Sequence, residues 1–83
     1  MSVYDAVLTR KAAKQLASLE RSAALRLAGA IELLRAHPCP PKASKLTGRP
    51  GYRVRVGDYR ILYDVVEQQL IIRVFQLGHR RDV

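Results

Sequence analysis

Gly51-Tyr52-Arg53-Val54-Arg55-Val56-Gly57-Asp58-Tyr59-Arg60-Ile61-Leu62-Tyr63-Asp64-Val65 decides the fold. It reads as two strands of alternating character joined by a tight Gly-Asp turn. Tyr52, Val54 and Val56 share one face of the first strand, and Arg53 and Arg55 share the other. A two-residue loop at Gly57-Asp58 predicts Val56 opposite Tyr59, Arg55 opposite Arg60 and Val54 opposite Ile61. Two arginines facing each other on one sheet face repel and cost stability, so an anion is expected between them.

Working outward, Val65 to Leu70 reads as a second turn around Glu67-Gln68-Gln69, with Val65 opposite Leu70. Leu70 to Leu77 is a nearly continuous apolar strand interrupted by Arg73, the pattern of a well-covered strand. That register sets Arg60 opposite Phe75 and Leu62 opposite Arg73. Upstream, Val3 to Leu8 reads as a short first strand and Thr9 as a helix N-cap. Ala13, Leu16, Ala17 and Leu19 recur at helical spacing after Arg10, predicting a helix to about Leu19. A second helix is expected from about Ser22 to Ala36, with a core stripe of Leu27, Ile31 and Leu34. Pro38 ends it, because the residue before a proline is pushed out of the helical region. His37 to Pro50 reads as an irregular connection with Leu46 as its anchor, and it carries Lys42, Lys45 and Arg49 with no acidic residue.

The expected fold is α+β in the order β-α-α-β-β-β, a two-helix hairpin packed on one face of a small, mainly antiparallel sheet. The covered face is built from Val54, Val56, Ile61, Tyr63, Ile72 and Val74. The other face carries Arg53, Arg55, Arg60 and Arg73, with His79, Arg80 and Arg81 at its rim.

A chain of 83 residues forms a single domain, residues 1–83, since domains run from ~50 to ~250 residues. Fifteen basic residues against seven acidic ones leave a net charge of +8 and a pI near 10.4. That balance points to an acidic partner such as nucleic acid, an acidic protein or an anionic membrane. Cys39 is the one cysteine, sits among prolines and has no disulfide partner, which suits a reducing compartment. With no signal-peptide pattern and no apolar run near the ~18 residues of a membrane span, a cytoplasmic location is expected.

Two histidines and one cysteine are too few for a zinc set, no glycine-rich phosphate loop opens a helix, and no carboxylates pair on a strand face for acid–base work. No metal or cofactor is expected. The arginines can grip a phosphate bidentately and stabilise the extra charge of its transition state. His79 is the group near them with an ordinary pKa suited to proton transfer. Tyr52, Tyr59 and Tyr63 fall on the core face and read as packing residues.

Ser44-Lys45-Leu46-Thr47-Gly48, the stretch from Tyr52 to Tyr63, and Gly78-His79-Arg80-Arg81-Asp82-Val83 together resemble the RelE/ParE superfamily of bacterial toxin–antitoxin toxins, on the RelE side. The order of elements matches as well, over essentially the whole chain. The resemblance implies a metal-independent, ribosome-dependent messenger-RNA endonuclease acting in the A site, with the 2′-hydroxyl of the target nucleotide as nucleophile. It implies catalytic places for Arg53, Arg55, Arg60 and Arg80, with His79 as a further candidate. Lys42, Lys45, Arg49, Arg73 and Arg81 would contact RNA or the ribosome. The implied partners are a cognate antitoxin, the ribosome and its message, with no membrane and no small-molecule cofactor. Family lysines are arginines at Arg53 and Arg55, which favours charge stabilisation over general-base work. The family tyrosine that stacks on the substrate base lies beyond the position of Val83. Two alternatives stay open: a ParE-like inhibitor of DNA gyrase that cuts nothing, and an RNA-binding toxin with weakened cleavage.

Overall fold

The computed structural model describes residues 3–83. Its five-stranded sheet has the order β1-β5-β4-β3-β2. The strands are β1 (Asp5–Leu8), β2 (Ser44–Lys45), β3 (Tyr52–Val56), β4 (Tyr59–Val66) and β5 (Ile71–His79), and the helices are α1 (Arg10–Ser18) and α2 (Arg21–Ala36). β1 runs parallel to β5, and every other pairing is antiparallel. Both helices cover one face, in the expected α+β arrangement.

Ala12, Leu27, Ile31, Leu34, Val54, Ile61, Tyr63, Ile72, Val74 and Leu77 form the buried core between helices and sheet. In α2 the predicted stripe holds, with Leu27, Ile31 and Leu34 all buried. In α1 the buried face is set by Ala12, Leu16 and Leu19, whereas Ala13 and Ala17 are exposed. Alanine fits either side of a helix, so the larger Leu16 and Leu19 settle the rotation. Thr9 caps α1 as expected, its Oγ1 accepting from the Ala12 amide at 3.2 Å.

β1 stops at Leu8, and α1 takes over its work along the outer edge of β5. The Thr9 amide donates to the Val74 carbonyl at 2.9 Å, the Thr9 hydroxyl to the Phe75 carbonyl at 3.4 Å, and the Leu77 amide to Gln15 Oε1 at 2.9 Å. A helix side chain thus satisfies a strand amide that no neighbouring strand reaches.

The connection before β3 is more ordered than its prolines predict. Ser44–Lys45 pairs with Tyr52 and Arg53 as a short edge strand, and the Leu46 amide closes the loop onto the Gly51 carbonyl at 2.9 Å. Gly51 has φ +120, and a Cβ there would lie 2.9 Å from the Tyr63 carbonyl oxygen, so this close crossing requires glycine. The buried Tyr63 hydroxyl donates to the Pro38 carbonyl at 2.6 Å and ties the start of the connection to the sheet.

The register of the β3–β4 hairpin is the predicted one, with Val56 opposite Tyr59, Arg55 opposite Arg60 and Val54 opposite Ile61. The β4–β5 register differs from expectation. Leu70 takes the left-handed conformation (φ 54) that closes a turn of 3-10 helix over Glu67–Gln69, so it belongs to the turn and Val65 faces Ile72 instead. The register then shifts by one more residue between Leu62 and Tyr63: Tyr63 faces Val74 while Leu62 faces Gln76, leaving Phe75 as an unpaired bulge. Arg60 therefore faces Gly78, and Arg73 faces Asp64.

Candidate functional site

Opposite the helices, the alternation of β3 brings out Arg53 and Arg55, and β4 adds Arg60 directly across from Arg55. Arg53 and Arg55 are exposed, whereas Arg60 is half-buried. Gly78, its partner on β5, places no side chain beneath the guanidinium. Val83 folds back over this spot. Its Cγ2 would touch a Cβ at Gly78 at 3.1 Å, and its main-chain oxygen accepts from Arg60 Nη1 at 3.2 Å. Arg60 Nε is buried and has no hydrogen-bond partner. A buried donor left unpaired costs about 1–3 kcal/mol, so the site holds one charged N–H in reserve for an acceptor.

The Arg80 amide donates to the Asp58 carbonyl at 2.8 Å. That bond holds the chain after β5 against the turn that joins β3 to β4, with Arg80 and Arg81 both exposed at this end of the sheet. Among the described residues, none of Arg53, Arg55, Arg60 or Arg80 has an ion-pair partner, because the three ion pairs involve Arg35 and Arg73 alone.

Other sequence-predicted residues lie elsewhere. Arg73, expected beside Leu62 in the basic cluster, pairs with Asp64 across the strands, with Nε donating to Oδ1 at 3.1 Å. The hydrogen bond and charge of Asp64 hold the Arg73 pKa above its ordinary value. Its charge is locally neutralised. His79 faces Tyr59 rather than the arginines, a consequence of the Phe75 bulge. The two rings meet edge to face at 5.6 Å, and His79 Nδ1 accepts from the Arg81 amide at 3.2 Å, which leaves the proton of a neutral ring on Nε2. Lys45 pairs with Tyr52 and so shares the helix side of the sheet. Lys42 sits in the connection beside α2. Arg49 lies over the Phe75 ring, its Cζ 5.0 Å from the centroid, a cation–π contact.

The sequence reading did not single out Gly78 or Val83 as parts of the site. Gly78 offered a signal, since a glycine within a strand marks close backbone approach. The contact of Val83 with Arg60 had none. Chemically, the arrangement is a row of unneutralised guanidiniums with one buried donor free. It suits a phosphate whose charge rises during reaction. The residues of β3 and β4 on this face, from Arg53 to Asp64, include no imidazole.

The family of ParE toxins of type II toxin–antitoxin systems (parDE) matches residues 6–83. No curated protein matches significantly. Among solved structures, the chain is similar to the archaeal RelE–RelB complex from Pyrococcus horikoshii, at 26% identity and a TM-score of 0.79, covering 98% of this chain and 99% of that one. It is similar to the RelB–RelE antitoxin–toxin complex of Methanococcus jannaschii, at 25% identity and a TM-score of 0.68 over 92% of each chain. The intact E. coli RelBE toxin–antitoxin complex shares the fold, at 22% identity and a TM-score of 0.81, over 92% of this chain and 95% of that one. With the family match spanning all but the first five residues and the same two-helix, five-strand architecture in these neighbours, the chain belongs to the RelE/ParE superfamily of toxins of type II toxin–antitoxin systems.

Proposed function

We propose that this toxin is a ribosome-dependent messenger-RNA endonuclease, neutralised by a cognate antitoxin. The observation that carries the reading is Arg60, a half-buried arginine opposite Arg55 with an unpartnered buried Nε. In the reaction the 2′-hydroxyl of the target nucleotide attacks the adjacent phosphorus and loses its proton. The bond from phosphorus to the 5′-oxygen breaks, leaving a 2′,3′-cyclic phosphate and a protonated 5′-hydroxyl. Arg60 stabilises the added negative charge on the phosphate, Arg53 and Arg55 hold its neighbours, and Arg80 supports the leaving oxygen. Guanidiniums stay protonated at neutral pH, so they act by charge rather than by taking the proton. A role for His79 requires its ring to leave Tyr59 and turn toward the arginine face. Lys42, Lys45, Arg49 and Arg81 extend the positive surface toward ribosomal RNA.

Sequencing of message ends after brief induction tests this reading. New ends at A-site codons are expected, and Arg60→Glu abolishes them while circular dichroism shows an intact fold. Unchanged ends in that variant refute the proposal.

A second reading follows from the family match, whose description is that of a ParE toxin. In it the arginine face meets an acidic protein surface, and the target is DNA gyrase. Inhibition of supercoiling by stoichiometric toxin, with no new message ends, would select it.

A further inference from the structure

The chain has four tyrosines and one phenylalanine. Tyr63 lies in the core and Tyr4, Tyr52 and Tyr59 pack against it, whereas Phe75 does neither. The bulge explains why. Val74 and Leu77 both belong to the core, so the two residues between them, Phe75 and Gln76, are left to the arginine face. Gln76 pairs with Leu62, which in turn faces Arg53. Leu62 is buried and yet outside the core, so the arginine face carries a small apolar patch of its own. Bulges beside functional sites re-aim side chains, and this one turns an aromatic ring toward the guanidiniums.

The half-buried Phe75 ring is held from one side by the loop that precedes β3. A Cβ at Gly51 would lie 3.2 Å from Leu46 Cδ1 and 3.4 Å from Phe75 Cε2, so Leu46 and the edge of the ring meet over this glycine. From the same loop the exposed Arg49 covers the ring, its Cζ 5.0 Å from the centroid. An exposed cation–π contact is weak, so this cover lifts readily. Two rungs of the sheet then lie side by side. One is Arg55, Arg60 and Gly78; the next is Arg53, Leu62 and Gln76, with Phe75 at its end. They are two residues apart along β4, about 7 Å, a span that a nucleotide covers from phosphate to base.

We propose that Phe75 and Arg49 form a stacking site for one nucleobase of the bound message, the base entering between ring and guanidinium while phosphate lies against Arg53 and Arg60. Carbon contacts of about 3.5 Å on each side of a flat base set the two partners about 7 Å apart. The present separation is 5.0 Å, so Arg49 lifts by about 2 Å as the base enters. A base offers a π face to both partners, whereas an aliphatic side chain gains nothing from a planar cation. Charge agrees, since none of Arg49, Arg53 and Arg60 has an ion-pair partner among the described residues and a polyanion is drawn in. Stacking tolerates any base, so the site fixes where the strand lies and not which sequence it carries. The inference rests on the message-cleavage reading and adds a positioning contact to it.

Filter binding of the full chain to a short 2′-O-methyl RNA, which offers no nucleophile, tests it, with a single abasic nucleotide moved along the oligomer. In the parent, the abasic nucleotide at one position is expected to weaken binding about fivefold or more. Phe75→Leu and Arg49→Lys each weaken binding of the intact oligomer by about the same factor, yet bind that abasic oligomer as the parent binds it. Phe75→Tyr, which keeps the ring, restores parental affinity. Phe75→Leu leaves the salt slope unchanged, because no phosphate contact is lost. Arg49→Lys lies on the exposed loop and keeps the experiment decisive where Phe75→Leu lowers the thermal midpoint. Equal affinity of the parent for every oligomer overturns the proposal, as do losses in the variants that are the same on intact and abasic RNA. So does tighter binding to poly-glutamate than to RNA, since the face then meets an acidic protein. A toxin that cuts no message but shows the expected pattern of losses refutes the endonuclease reading and leaves the stacking site in place. One that cuts messages without that pattern removes the stacking site alone.

Discussion

Arg55 and Arg60 face each other across the Gly57-Asp58 turn, cross-strand partners of like charge on an exposed sheet face. Directly opposed like charges destabilise a sheet by roughly 0.2–1 kcal/mol. Arg55→Thr, which keeps a good strand former, is therefore expected to stabilise the free toxin by about 0.5 kcal/mol. The same substitution weakens binding to short RNA. Urea denaturation in low salt reads the first effect and filter binding the second. Raising the salt narrows the stability difference, because screening relieves the repulsion that the substitution removes.

Arg73 and Arg53 are both exposed arginines, but only Arg73 has a carboxylate partner. An exposed ion pair contributes about 0–1 kcal/mol, so Arg73→Ala is expected to change stability by less than about 1 kcal/mol. Its effect on RNA affinity is expected to be smaller than that of Arg53→Ala. Salt titrations separate them: Arg53→Ala lowers the salt dependence of binding by about one phosphate contact, and Arg73→Ala leaves the slope near its parental value.

Tyr63 is fully buried, and burial pushes its hydroxyl well above the ordinary tyrosine pKa. The unfolded chain therefore ionises this tyrosine before the folded one does. The sign follows: stability is unaffected below the unfolded value of about 10 and falls as pH rises through it. Tyr63→Phe is expected to cost about 1 kcal/mol at neutral pH by leaving the Pro38 carbonyl without its donor, and to flatten the alkaline loss. Denaturation midpoints from pH 8 to 11 check both, alongside absorbance at the tyrosinate wavelength.

Gly51→Ala is expected to destabilise the fold by about 2 kcal/mol or more, from a strained left-handed backbone together with a clash against the Tyr63 carbonyl. A thermal scan that leaves the midpoint unchanged would contradict the close crossing of the connection over β4.

The β3–β4 hairpin was legible because Gly57-Asp58 fixes both loop length and register, and each strand alternates cleanly. β5 was not. Its run from Leu70 to Leu77 has little alternation to mark a face, so neither the left-handed turn at Leu70 nor the bulge at Phe75 leaves a signal in the pattern. The site inherited that gap. Arg53, Arg55 and Arg60 were readable from the hairpin alone, whereas the pairing of Arg73 with Asp64 and the turning of His79 toward Tyr59 depend on the second register. β2 escaped notice because two residues are too few for any period, and the face of α1 because Ala12, Ala13 and Ala17 weigh alike.

β5 lies between β1 and β4, and its partner β1 comes from the opposite end of the chain, Asp5 facing Ile71. Pairings of such large sequence separation form late, after the entropy of closing the chain has been overcome. During synthesis β1 and α1 emerge first with no surface to rest on, and the arginine face is incomplete until Gly78 stands opposite Arg60. The basic face is thus assembled only when β5 has emerged and taken its place between β1 and β4.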